Sequence, residues 1–196
     1  MVLCSLFTAF SCSNSSGNKD KSNTIAELIP YFPAATGSKW VYINEAPREK
    51  TVLFTVEVKD LLKDTDGFKL NLSSFPFMTA DNTERTLSIN SSGDISVNDY
   101  NGTSGVFIPS EDNFNSGYRW SFGIYKCSIS DFSGEIKSEE GNYSGCKYVY
   151  MTDGFTFSFE MWFKKGTGIV KWGANRTNPP ILKPVYYVLK ELNLQK

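Results

Sequence analysis

The sequence predicts an all-β fold, an antiparallel sheet curled into a sandwich or half-open barrel with one short N-terminal helix at most. Three observations predict it. Apolar and polar residues alternate with period two along several segments, which is the pattern of strands with one buried face. Asp-Gly, Asn-Gly and Ser-Gly pairs punctuate these segments where hairpins would turn. Aromatic residues make up 15% of the chain, a bias toward strands, and helical spacing is nearly absent. With 196 residues, 40% hydrophobic and 21% charged, the chain suits one globular domain with a full core; disorder and collagen-like repeats do not fit.

In chain order, residues 1–11 are apolar, small and uncharged (M-V-L-C-S-L-F-T-A-F-S). They are too short to cross a hydrocarbon core, which needs about 20 residues. Cys12 follows, and then a polar run from Ser13 to Asn23 that can bury nothing. The expected organisation is a leader over 1–11, an anchor cysteine and flexible tether over 12–23, and a single β domain over 24–196. A short helix is expected at Thr24–Ile29, capped by Asn23 or Thr24. Strands follow from Trp40 onward. Val52, Phe54, Val56 and Val58 mark one buried face, Phe68, Leu70 and Leu72 a second, and Phe155, Phe157, Phe159, Met161 and Phe163 a third. Asp153-Gly154 is expected to turn the chain directly from 147–152 into 155–164. Ser91–Asp94 would join 86–90 to 95–98, and Asp66-Gly67 and Asn101-Gly102 mark further reversals. With 120–129, 168–172 and 185–192 the set is about ten strands. Thr103–Gly117 and Gly173–Pro184 read as long connections, the second interrupted by Pro179, Pro180 and Pro184.

Histidine is absent, so Ser-His, Cys-His and His-metal chemistries are excluded. Lys+Arg is 20 and Asp+Glu is 21, a balance that gives no bulk attraction to nucleic acid. Beyond the leader the cysteines are Cys127 and Cys146. In an oxidising envelope their pairing as a disulfide is expected, and closing a loop of about twenty residues would contribute about 3 kcal/mol. Two separate reduced core thiols are the alternative. Neither a metal site nor a cofactor is expected, since two cysteines make an incomplete zinc shell.

The remaining catalytic options are thin. Glu111-Asp112, Glu139-Glu140 and Glu160 are candidate carboxylates, but a glycan hydrolase needs two of them facing across a cleft. Lys19, Lys21 and Ser22 lie in the tether, where nothing would lower a lysine pKa. The chain is therefore expected to be non-enzymatic, without a catalytic residue, and the sequence does not point to a particular ligand. The aromatic excess (Trp120, Tyr125, Tyr148, Tyr150, Trp162, Trp172, Tyr186, Tyr187) could form an outward strip that stacks on sugars or lines a pocket. Trp162 alternates against the phenylalanine face of its strand and should point away from that core. Packing on the second face of a curled sheet is the favoured explanation for these rings.

Two resemblances extend the reading. The apolar run, Ser11 and then Cys12 resemble a bacterial lipobox of the relaxed, spirochaete-like kind, with Ala9 where leucine is usual. No Lys or Arg precedes the apolar run, which suggests a natural leader longer than the one printed. The resemblance implies cleavage before Cys12 and acylation there, including palmitate, with about 0.8 kcal/mol of membrane binding per buried methylene. An ordinary cleaved secretory signal, or a buried N-terminal strand, is the alternative. Further on, Tyr31-Phe32-Pro33, Gly37 and Trp40-Val41-Tyr42 resemble the opening of a family of exported, often lipid-anchored bacterial β-rich proteins. Gly141-Asn142-Tyr143-Ser144-Gly145-Cys146 is similar to that family's Gly-x-Phe-x-x-Cys segment. Trp162-Phe163, Gly166-Thr167-Gly168-Ile169-Val170-Lys171 and Tyr186-Tyr187-Val188-Leu189 resemble its ending. The resemblance implies an envelope location, at the outer membrane or cell surface, and no particular reaction. The expected partners are the membrane, through Cys12, and a host or envelope macromolecule, in a surface recognition or adhesin role. The rival is a lipid or envelope-protein carrier with an apolar cavity. Gly166-x-Gly168 is not expected to cradle phosphate, because the residues after it are strand-like.

Overall fold

The computed structural model describes residues 25, 27–45, 51–75, 84–100, 103–176 and 185–195. The leader, the tether and Cys12 lie outside the described residues. Twelve strands form: β1 (Lys39–Asn44), β2 (Leu53–Asp64), β3 (Gly67–Leu72), β4 (Arg85–Asn90), β5 (Ile95–Tyr100), β6 (Thr103–Ile108), β7 (Arg119–Phe122), β8 (Tyr125–Lys137), β9 (Asn142–Thr152), β10 (Phe157–Lys164), β11 (Gly168–Arg176) and β12 (Val185–Asn193). Of the expected N-terminal helix the described residues show one turn, in which Ile29 N–H donates to Ile25 O at 3.0 Å. Among the described residues no helix is long and apolar enough to cross a membrane.

The strands form two antiparallel meanders, β1–β6 and β7–β12, joined where β1 pairs with β12. The resulting order, β6-β5-β4-β3-β2-β1-β12-β11-β10-β9-β8-β7, puts consecutive strands β6 and β7 at opposite edges. Right-handed twist curls a sheet of this width. Register shifts at Val41/Tyr42, Val58/Asp60, Phe132/Glu135 and Trp162/Phe163 bend it further. The two edges then meet, and Trp120 Nε1–H donates to Val106 O at 3.0 Å across the gap. The all-β expectation holds, as a nearly closed barrel with one seam.

Alternation decides which side chains enter. Phe54, Val56 and Val58 of β2, Leu70 and Leu72 of β3, and Phe159, Met161 and Phe163 of β10 are all buried, while Glu57, Asn71 and Glu160 face out; Val52, expected on the buried face, precedes β2 and is 41% exposed. Rings then span the interior in contact. Phe32 meets Phe75 at 6.3 Å, Phe75 meets Phe107 at 4.9 Å and Phe107 meets Phe122 at 5.6 Å. Phe122 continues to Tyr125 at 6.3 Å, and Tyr125 to Phe159 at 5.8 Å. Near β1 and β11 a second group forms, with Trp172 stacked on Tyr187 at 4.4 Å and edge-on to Phe54 at 5.4 Å.

One end of the barrel is plugged by chain segments. Ile25, Ile29, Phe32 and Ala34 are buried, and Phe32 stacks on Trp40 at 5.2 Å. Tyr31 packs on Phe114 at 4.3 Å, just after a 3₁₀ turn over Glu111–Asn113, and Phe114 meets Phe163 at 5.3 Å. The β10–β11 turn is tied into the plug. Gly166 N–H donates to Pro30 O at 2.7 Å, and Trp40 Nε1–H donates to Thr167 O at 2.7 Å. Gly168 is required here, because it has φ +99° and a Cβ would lie 3.1 Å from that indole nitrogen. The two glycines thus lie at the turn that joins β10 to β11.

Four expectations are corrected. Thr103–Gly117 is not one connection: its first half is edge strand β6, with Phe107 and Ile108 buried. Gly173–Pro184 is strand as far as Arg176, and its proline-rich remainder lies outside the described residues. The turn at Asp153-Gly154 is longer than two residues, because Asp153 Oδ1 accepts from the N–H groups of Phe155, Thr156 and Phe157 at 2.8–3.0 Å. That loop leaves Phe155 exposed, so the buried face begins beyond it. Finally, Cys127 and Cys146 are free buried thiols and form no disulfide. Cys127 faces Met151 across β8–β9 while Cys146 faces Phe132, so five residues separate the two along β9. That is about 17 Å at the rise of a strand, against the 7 Å limit between bridged Cα atoms. An odd spacing also puts them on opposite faces of the sheet.

Candidate functional site

Register brings together what spacing along the chain cannot. On the outer face of β7–β12, one cross-strand row reads Arg119, Ser128, Tyr150, Glu160, Gly173, Tyr186. A neighbouring row reads Ser130, Tyr148, Trp162, Lys171, Val188. Gly173 is the blank in the first row. A Cβ there would sit 2.3 Å from Tyr186 Cδ1, so the missing side chain lets the Tyr186 ring lie across β11. From there its hydroxyl donates to Glu160 Oε2 at 3.1 Å.

The second row makes a small aromatic core outside the barrel. The Trp162 ring lies 5.1 Å from Tyr148, 6.0 Å from Tyr186 and 6.1 Å from Phe132. Lys171 Nζ sits 4.9 Å from the Tyr186 ring and 5.4 Å from the Trp162 ring, and its charge is met by both oxygens of Glu45 at 2.7 and 2.8 Å. The distal half of the β8–β9 hairpin folds over this patch. Lys164 Nζ donates to Ser144 O at 2.8 Å, and Glu139 reaches Lys190 of β12 at 3.8 Å. Trp162 points outward, as expected, yet is only 8% exposed; Val41 and Val188 also face outward and are 5% and 7% exposed. For Trp162, packing on the second face is therefore the correct explanation. Burial raises the Tyr148 hydroxyl above its ordinary range, with Glu160 adding to it, and the same two causes push Tyr186 up to about 12. Both phenols are neutral donors at physiological pH.

The other rings divide by face. Tyr125, Trp172 and Tyr187 pack inward, Trp120 closes the seam and Tyr150 faces out. The candidate carboxylates do not converge. Glu111 pairs with Lys165, Glu139 with Lys190, and Glu160 with the Tyr186 hydroxyl, each on a different element. Residues that spacing alone missed, Lys171, Glu45, Phe132 and Arg119, carried no signal except the register that assembles them.

Beside the aromatic patch, on the outer face of β7–β9, lies a groove of about 450 Å³. Its walls include Arg119, Ser121, Lys126, Ser128, Tyr150 and Thr152, with Trp120 at the seam side. Arg119 stands opposite Ser128 and Lys126 opposite Ser121, so the two cations sit on a cross-strand diagonal, at a typical spacing of about 7–8 Å. No carboxylate lines the groove.

No protein-family model matches the chain, and no curated protein matches its sequence. Two solved structures are similar to it in shape. One is an inferred exported protein with a YmcC-like fold from Bacteroides fragilis, at 12% identity and TM-score 0.48, covering 83% of this chain and 98% of that one. The other is an inferred lipoprotein from Parabacteroides distasonis, at 12% identity and TM-score 0.47, covering 85% of this chain and 99% of that one.

Proposed function

We propose that the chain is a bacterial envelope lipoprotein presenting a non-enzymatic β-rich binding domain, anchored through Cys12 at the outer membrane or cell surface, with a recognition or adhesin role. The observation that carries the binding reading is the filled interior. The chain of rings from Phe32 to Phe159 occupies the space that a lipid or envelope-protein carrier would need, which leaves the outer face to meet a partner. Glu111, Glu139 and Glu160, far apart and each held by its own partner, argue against the glycan hydrolase. The anchor reading rests on the apolar run, Ser11, Cys12 and the polar tether.

Each half has its own test. Metabolic labelling with a palmitate analogue should mark the wild type and leave Cys12→Ala unlabelled; equal labelling of both overturns the anchor. Titration with the apolar dye 1-N-phenylnaphthylamine should give no saturable binding. Stoichiometric uptake of the dye would replace the surface binder with the carrier.

A further inference from the structure

We propose that the groove on the outer face of β7–β9 binds an acidic oligosaccharide, with Arg119 and Lys126 taking its carboxylate or sulfate and Tyr150 stacking on a sugar face. The inference rests on the surface-binding reading above and names the ligand class of that surface.

The charges come first. Six lysines of the described residues stand in ion pairs, with Glu57, Asp64, Asp131, Glu111, Glu45 and Glu139 as partners. Arg119 and Lys126 have no such partner among the described residues, although they are near neighbours on adjacent strands. Two like charges on a cross-strand diagonal repel each other, and no acid in the groove relieves them. The chain as a whole carries a formal net charge of −1, so this positive spot is local and suits the acidic groups of a short oligosaccharide better than a long polyanion. The guanidinium of Arg119 presents a planar fork that matches carboxylate or sulfate oxygens, and Lys126 adds a point charge beside it.

The rest of the lining selects what carries the charge. Tyr148, Trp162 and Tyr186 are consumed by one another and by the hairpin above them, whereas the Tyr150 ring pairs with no other ring among the described residues. Ser121 and Ser128 stand between the cations on the same face, with hydroxyls unengaged among the described residues. Thr152 is spoken for, since it donates to Phe157 O and accepts from Gly154 N–H. A free aromatic face, two free hydroxyls and two unpaired cations on a flat strand floor complement a sugar ring that has one apolar face, hydroxyl edges and an acidic substituent. The groove is wide and open to solvent along its length, so it suits a ring laid on its floor.

Isothermal titration of the full chain tests this with four probes: a tetragalacturonate and a heparin-derived tetrasaccharide as acidic ligands, cellotetraose as the neutral one, and phosphatidylglycerol vesicles as a source of anionic headgroups. At least one acidic tetrasaccharide should bind at least tenfold more tightly than cellotetraose and should weaken as salt is raised. The double variant Arg119→Gln/Lys126→Gln should lose at least tenfold in affinity and Tyr150→Ala several-fold, while Lys63→Gln, far from the groove, leaves binding unchanged. All these residues are on the surface, and unchanged melting curves would confirm that the variants fold. The groove assignment is overturned by no acidic binding, by equal binding of cellotetraose, by binding indifferent to the double variant, or by preference for the vesicles. Titration of the same protein with 1-N-phenylnaphthylamine separates the two proposals: no acidic-glycan binding and no saturable dye uptake removes the groove and leaves the surface binder standing.

Discussion

At the scale of single residues, two sites show how packing sets chemistry. Gly173 exists so that the Tyr186 ring can cross β11 and bond Glu160. Gly173→Ala would drive a methyl into that ring and displace it, costing about 1–3 kcal/mol as overpacking does elsewhere. A urea titration should show a lower midpoint at unchanged slope; an unchanged midpoint would mean that the ring has other room. Cys127 is the second site. Burial pushes its thiol up to about 12, although a hydrogen bond from the Phe122 backbone acts the other way. In the unfolded chain the thiol ionises near pH 8.5. Folding therefore favours its protonated form, and the stability this contributes is complete below that pH and is lost as pH rises toward 12. Between pH 7.5 and 9.5 the unfolding free energy should fall by about 1 kcal/mol for this group, and Cys127→Ala should remove that share of the decline. Peptide-mapped alkylation of the folded protein at pH 8 should leave Cys127 unmodified, and rapid labelling would contradict its burial.

At the scale of elements, legibility followed locality. The strands around Phe54–Val58 and Phe159–Phe163 were readable because alternation is written in adjacent residues, and the barrel they build is the all-β fold expected. β6 resembles a connection in sequence because of Gly105 and the polar residues around it, and only pairing with β5 makes them a strand. The disulfide failed for a related reason: proximity along the sequence says nothing of register, and register puts the two cysteines on opposite faces. In the site, Trp162's outward direction was legible from parity, while its cover, its Lys171 neighbour and the groove depend on strands brought together by folding. The seam between β6 and β7 is the element most exposed to failure, since edge strands hold unpaired backbone groups. Trp120→Phe keeps a smaller aromatic ring and deletes the bond to Val106 O. That change should cost about 1 kcal/mol. Hydrogen exchange should show β6 and β7 amides losing protection before those of β1 and β12; uniform loss across all strands would place the weak point elsewhere.

At the scale of the whole molecule, the chain reaches the barrel through the plug. Residues 27–38 close one end before β1 begins, so the same segment that would lead from a lipidated Cys12 also completes the core. An anchor built this way would join the body at its plugged end. The plug is more than an attachment, because Ile25, Ile29 and Phe32 are nearly fully buried. At about 1.5–3 kcal/mol for each large apolar side chain, they supply an amount comparable with the 5–15 kcal/mol that separates a folded domain from its unfolded state. A chain beginning at Asn23 should therefore melt cooperatively within a few degrees of the full-length protein. A chain beginning at Lys39 removes the plug, leaves the Trp40 ring without Phe32 and frees Gly166 N–H from Pro30 O. It should lose its cooperative transition and bind hydrophobic dye as a loosened state does. Should the shorter chain instead melt sharply near the full-length temperature, the plug would be a lid on a barrel stable without it.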